Sequence, residues 1–117
     1  MEIQEETING ITVLTLDGEV DSSTALSLQE AVEAYINPHC RILMNLAGVG
    51  YMSSAGLRVM LVTYRDVIAQ EGRIVLLHLS EEIRYVMEAT GFLSHFTLAD
   101  SFDEGIALLE NGHGSAH

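Results

Sequence analysis

The chain contains no lysine and no tryptophan, and only one cysteine, Cys40, and one proline, Pro38, among its 117 residues. Without lysine there is neither a GxxxxGK phosphate loop nor an amine for Schiff-base chemistry, so two large enzyme classes drop out. A single cysteine cannot close a disulfide within the chain, which fits a reducing compartment better than a secreted one. Positive charge is scarce as well: five arginines stand against 17 Asp and Glu, for a formal net charge of −12. A surface of that sign repels phosphate backbones and anionic bilayers, so neither nucleic acid nor membrane is expected as a partner. No apolar run reaches the length of a membrane span, and the opening MEIQEETING is acidic where a signal peptide is basic and then apolar. The composition therefore predicts one soluble, cytoplasmic domain over residues 1–110 and a loose tail over 111–117. A chain of this length buries about two thirds of its unfolded surface and needs no metal staple.

Periodicity supplies the architecture. Residues 2–8 and 11–17 are short β-type runs, and the intervening Asn9-Gly10 is a strong hairpin signal. After Asp21-Ser22-Ser23, the spacing of Leu28, Val32, Tyr35 and Ile36 predicts a first helix, stopped by Asn37-Pro38. The apolar runs RILMNL (41–46) and RIVLLHL (73–79) read as central strands, with His78 as a core histidine. Helices are predicted over 54–71, 83–89 and 102–109, and a short edge strand over 96–98. The order ββαβαβαβα predicts an α/β fold with a mixed central sheet.

Chemistry is sought where the central strand meets the second helix, at Gly50-Tyr51-Met52-Ser53-Ser54-Ala55-Gly56-Leu57-Arg58. With Ser53 as N-cap, Ser54 is the first helical residue, and Met52 and Leu57 are placed to pack as a hydrophobic staple. The Ser53 hydroxyl is then taken up by a backbone N–H while Ser54 points outward. A phosphate on Ser54 would face the positive end of the helix; from the spacing alone, plain capping by either serine is the commoner reason for such a pair. On a helical projection Leu57, Met60, Leu61, Tyr64 and Ile68 form the predicted core stripe, leaving Ala55, Val59 and Val62 opposite, with Arg58 and Asp66 at the margins. That apolar strip reads either as a partner-binding surface or as a face covered by another element of the domain.

Neither serine stands in a GxSxG elbow. His113 and His117 have i, i+4 spacing, but Gly112, Gly114 and the chain end disfavour a helix there, so no metal site and no cofactor is expected. Glu81 and Glu82 read as helix N-terminal charges.

The segment YMSSAGLRV (51–59) resembles the phosphorylation-site signature of bacterial anti-sigma-factor antagonists, the STAS domain family. Leu16-Asp17-Gly18-Glu19-Val20-Asp21 resembles that family's turn before its first helix, and Thr90-Gly91-Phe92 its turn after the third. The resemblance implies a STAS-type fold and a non-enzymatic partner switch in transcription regulation. The unmodified protein would bind an anti-sigma factor that is also a serine kinase with a histidine-kinase-like ATPase fold, releasing the sigma factor. Phosphorylation would end the association, and a PP2C-type phosphatase would restore it. By position Ser54 corresponds to the phosphoacceptor, with Ser53 as rival, and Asp21 to an acidic residue on the same surface. Asp21, Met52, Ser53, Ser54, Ala55, Arg58, Val59 and Val62 are the expected partner-binding residues. The chain departs from the pattern at Ser53, where Asp is common, at Ala55 for a second Ser or Thr, at Arg58 for Gly, and at Asn45. The alternatives are a STAS-like subunit or scaffold of a stress-sensing or transport complex in which Ser54 is never modified, and a small-ligand binder or hydrolase using the serine pair.

Overall fold

The computed structural model describes residues 1–111. Ten elements follow in order: β1 (Glu2–Ile8), β2 (Ile11–Asp17), α1 (Ala25–Glu33), β3 (Arg41–Gly48), α2 (Ser54–Ala69), β4 (Arg73–Leu77), α3 (Glu81–Ala89), a short 3₁₀ turn (Leu93–His95), β5 (Thr97–Ala99) and α4 (Phe102–Asn111). The strands form one sheet in chain order; β1 runs antiparallel to β2, and β2 to β5 are parallel. The hairpin closes on Asn9 and Gly10, both with positive φ, while Ile8 pairs with Ile11. This is the two-residue turn that Asn-Gly favours. The mixed α/β sheet with four helices is the predicted architecture.

Two-residue alternation sends the strands' side chains to two separate cores. Leu14, Leu16, Ile42, Met44, Leu46, Ile74 and Leu76 belong to the larger one, with side chains from α1, α2 and α3. Ile11, Val13, Leu43, Val75, Leu77 and Ala99 belong to the smaller, closed by Leu109 of α4. Parallel strands covered on both faces read as continuous apolar runs, which is why 41–46 and 73–79 stood out.

Three expectations need correction. His78 is not a core residue: β4 ends at Leu77, and His78 is exposed in a left-handed turn with φ 61°. The first helix stops at Glu33, and Tyr35 and Ile36 are half-buried in the turn beyond it. Ile68 is 48% exposed although it shares the projection angle of Leu57. Helix α4 extends to Asn111; the His113 and His117 pair lies outside the described residues. Among the described residues no helix is long and apolar enough to cross a membrane.

Glycine has opposite meanings at two positions. A Cβ on Gly72 would lie 2.5 Å from Cys40 Sγ and 2.7 Å from the Cys40 carbonyl oxygen, whereas one on Gly50 meets nothing within 4 Å. Gly72→Ala is expected to lower unfolding free energy by about 1–3 kcal/mol, because backbone cannot retreat as a side-chain end can. Gly50→Ala should stay within about 0.5 kcal/mol of wild type. Urea denaturation of both variants checks this, and equal effects would refute it.

Candidate functional site

The site is built on a junction between two loops at the carboxyl end of the sheet. After β3 the chain turns, and Met52 forms an isolated parallel bridge with Val20. Val20 N–H donates to the Tyr51 carbonyl at 3.0 Å, and Ser53 N–H donates to the Val20 carbonyl at 2.8 Å. Gly56, in the first turn of α2, closes against this bridge: a Cβ there would lie 2.7 Å from Val20 Cγ1 and 2.8 Å from Met52 Cγ. Met52 and Leu57 are both buried in the larger core, in keeping with the expected staple. Small size at Gly56 is thus what lets the helix start so near the sheet.

Ser53 is the N-cap of α2, extended at φ −80° and ψ 176°, and its hydroxyl accepts from Gly56 N–H at 3.3 Å. Ser54 is the first helical residue. It is exposed, and its hydroxyl has no hydrogen-bond partner among the described residues. The two serines are therefore distinct, one held by the backbone and the other free toward solvent.

The bridge also brings Asp21 alongside this segment. Asp21 Oδ1 accepts from the Ser23 hydroxyl at 2.6 Å, Ser23 N–H at 2.9 Å and Thr24 N–H at 3.2 Å. Thr24 Oγ1 accepts in return from Asp21 N–H at 3.0 Å. These bonds tie the turn that starts α1. The Ser23 hydroxyl, then Ser23 N–H, hold the carboxyl below its usual value of 3.8 against the opposing effect of burial, with Thr24 adding to the lowering.

The apolar strip is not a free surface. Val59 is 5% exposed and lies in the larger core with Ala25, Leu28 and Val32 of α1, and Met52 is buried too. Ala55 and Val62 are only partly exposed, and Ala55 packs on that core. Helix α2 packs against both the sheet and α1, so its buried arc is centred near Met60 and Val67, about 80° from the expected axis through Leu57. Val59 and Met52 thus support the surface from beneath. Exposed instead are Ser54 and Arg58 on α2, Tyr51 just before it at 51%, and Leu26, in the first turn of α1, at 64%. The exposure of Leu26 was not singled out from the sequence; its signal is that it falls off the stripe of Ala25, Leu28 and Val32 on its own helix.

A groove of about 540 Å³ lies elsewhere, lined by Tyr64, Ile68, Gly72, Ile74, His95 and Leu108 among others, and neither serine reaches it.

Two consequences are measurable. Gly56→Ala should force α2 away from Val20 and Met52, lowering stability by about 1–3 kcal/mol and speeding amide exchange at Ser53. Ser53→Ala should cost about 1 kcal/mol and Ser53→Gly only a few tenths. Unchanged exchange in Gly56→Ala would contradict the tight junction. For Asp21 the folded pKa is depressed, so its contribution is fully present above the unfolded value of 3.8 and is lost as pH falls through the folded one. Between about pH 5 and pH 3, wild type should lose more stability than Asp21→Asn in urea titrations; equal losses would count against the Ser23 bonds.

Comparison with known proteins adds the family. The STAS domain model matches residues 2–105. BtrV of Bordetella bronchiseptica, assigned as an anti-sigma factor antagonist, is 33% identical over 111 residues, covering 94% of this chain and 96% of its own. The crystal structure of an anti-sigma factor antagonist from Mycobacterium paratuberculosis superposes with a TM-score of 0.82 at 23% identity, over 93% of each chain. The phosphorylated form of the Bacillus cell fate determinant SpoIIAA does so with a TM-score of 0.69 at 24% identity, over 91% of this chain and 97% of that one. The match to the family model along nearly the whole described chain, and the one-third identity to BtrV, establish that this chain belongs to the STAS domain family.

Proposed function

We propose that the chain is an anti-sigma-factor antagonist working as a partner switch. Unmodified, it binds an anti-sigma factor that is also a serine kinase with a histidine-kinase-like ATPase fold, and the sigma factor is released. The kinase phosphorylates Ser54, the complex separates, and a PP2C-type phosphatase restores the binding form.

The observation that carries this reading is the separation of roles in the serine pair. Ser53 is occupied as the helix cap, while Ser54 stands exposed and unbonded at the start of α2. Two exposed apolar side chains, Tyr51 three residues before it and Leu26 in the first turn of α1, serve as anchors for the partner in this reading. A relative of the same fold, SpoIIAA, occurs in a phosphorylated form, which supports the chemistry.

The magnitudes suffice without any rearrangement of the fold. A phosphoserine adds roughly −1.5 to −2 charges at pH 7. Burying that charge against a surface shaped for a neutral hydroxyl costs several kcal/mol, and about 3 kcal/mol weakens binding roughly a hundredfold. Asp21 and Glu19, on either side of Val20 in its bridge to Met52, are acidic, so a further negative group on this segment also meets like charge.

Pull-down from extract of the source cell, with phosphopeptide mass spectrometry, identifies the partner and the acceptor. Calorimetry on that partner should then show Ser54→Ala binding like wild type and Ser54→Asp about a hundredfold weaker. Tyr51→Ala and Leu26→Ala should each weaken binding about tenfold or more while leaving the urea midpoint unchanged. Equal affinity of wild type, Ser54→Ala and Ser54→Asp would defeat the switch and leave a fixed scaffold role.

A further inference from the structure

We propose that Arg58 is the internal counter-ion of a phosphate on Ser54, folding back over the first turn of α2 so that modification also withdraws Arg58 from the docking surface. The inference rests on Ser54 being the modified residue, and it concerns what the modification does locally.

The geometry follows from α2 itself. Ser54 and Arg58 are four residues apart in one regular helix, about 6 Å along the axis and about 40° around it, so they share a face. Long side chains in a helix lean toward its N-terminus and cover the turn before their own Cα, which here is the turn that carries Ser54. Both residues are exposed, and Arg58 has no hydrogen bond or ion pair among the described residues. No internal bond has to break for the guanidinium to take up the phosphate.

Charge makes the pairing selective. The residues on either side of Val20 in its bridge to Met52 are Glu19 and Asp21, both carboxylates, and the Ser23 bonds favour the ionised form of Asp21. The chain has no lysine. Of the other arginines, Arg41 donates to the Asn9 carbonyl at the hairpin, Arg73 begins β4, and Arg84 sits on α3. Arg65 shares the exposed face of α2 but lies about 16 Å farther along the axis. Arg58 is the cation on the acceptor's own helix within one turn of it, and a guanidinium forms two parallel bonds to phosphate oxygens where an ammonium acts as a point charge. On modification the Arg58 contribution of +1 is absorbed into an ion pair of net charge about −1. A partner that used Arg58 loses that contact in the same event that places the phosphate before it.

The test installs phosphoserine at position 54 of the full chain by genetic encoding, so that no kinase is needed, and follows the phosphate by ³¹P NMR across pH. The second ionisation is expected about half a unit lower with Arg58 present than in Arg58→Gln, with Arg58→Lys between them. Arg65→Gln should titrate as the arginine-bearing parent does, and the Arg58 effect should shrink in about 1 M salt. The same midpoint in Arg58→Gln and the parent, or an equal shift in Arg65→Gln, would overturn the proposal. Mass spectrometry after treatment with the cognate kinase reads the other question separately: an unmodified Ser54 there would defeat the switch while the ³¹P shift still showed the pairing.

Discussion

The close approach of Gly56 to the Val20–Met52 bridge is the contact on which the site depends. A helix normally stands off a sheet by the width of its side chains; here the first turn of α2 comes down until Gly56 meets the Val20 side chain. That proximity lets Ser53 serve two elements at once, donating its N–H to Val20 while its hydroxyl caps the helix. With both polar groups of Ser53 engaged, the next residue is the first with a hydroxyl left over. The outward position of Ser54 is thus a by-product of how tightly the preceding residues are bound. The same bridge sets the Asp21 turn beside it, so the rim is assembled from two chain segments separated by a strand and a helix.

Strand positions and the helix start were legible in the sequence because each rests on local chemistry. Asn9-Gly10 needs positive φ at both turn residues, the apolar runs of β3 and β4 follow from burial on two faces, and the Ser53 cap needs only its own turn. The direction in which α2 faces was not legible. The expected stripe of Leu57, Met60, Leu61, Tyr64 and Ile68 is as convincing as the buried set of Gly56, Leu57, Val59, Met60, Thr63 and Val67, which shares Leu57 and Met60 with it but hides a glycine and a threonine among its members. Only knowing that α1 packs against the same helix distinguishes them. His78 failed for a related reason: an apolar neighbourhood in sequence says nothing about a left-handed residue that turns the chain out of the sheet. The exposure of Leu26 and Tyr51 likewise emerges only in the folded chain.

Moving the apolar strip into the core changes how the surface must work. A broad greasy face would bind by area, and one added phosphate at its edge would perturb it little. A small surface with Tyr51 and Leu26 exposed, the free Ser54 hydroxyl and the unpaired Arg58 has few contacts to lose, so a change at Ser54 matters more. Val59 and Met52 still matter to such a rim, since they hold α2 against α1 and the sheet and keep its geometry fixed before a partner arrives.

The overall charge of −12 decides how far a phosphate can act. Adding roughly two more negative charges changes the total only modestly, and at physiological ionic strength fields fade over about 8 Å. A phosphate on Ser54 therefore cannot repel a partner through the molecule's net charge. Its influence is confined to groups within about one Debye length, which on its own helix means Arg58, together with whatever the partner presents there. In a protein already so acidic, a switch that relied on long-range repulsion would have little contrast between its two states. One that acts through close contacts, tying up an unpaired arginine and setting a phosphate beside it, keeps its contrast whatever the remaining charge.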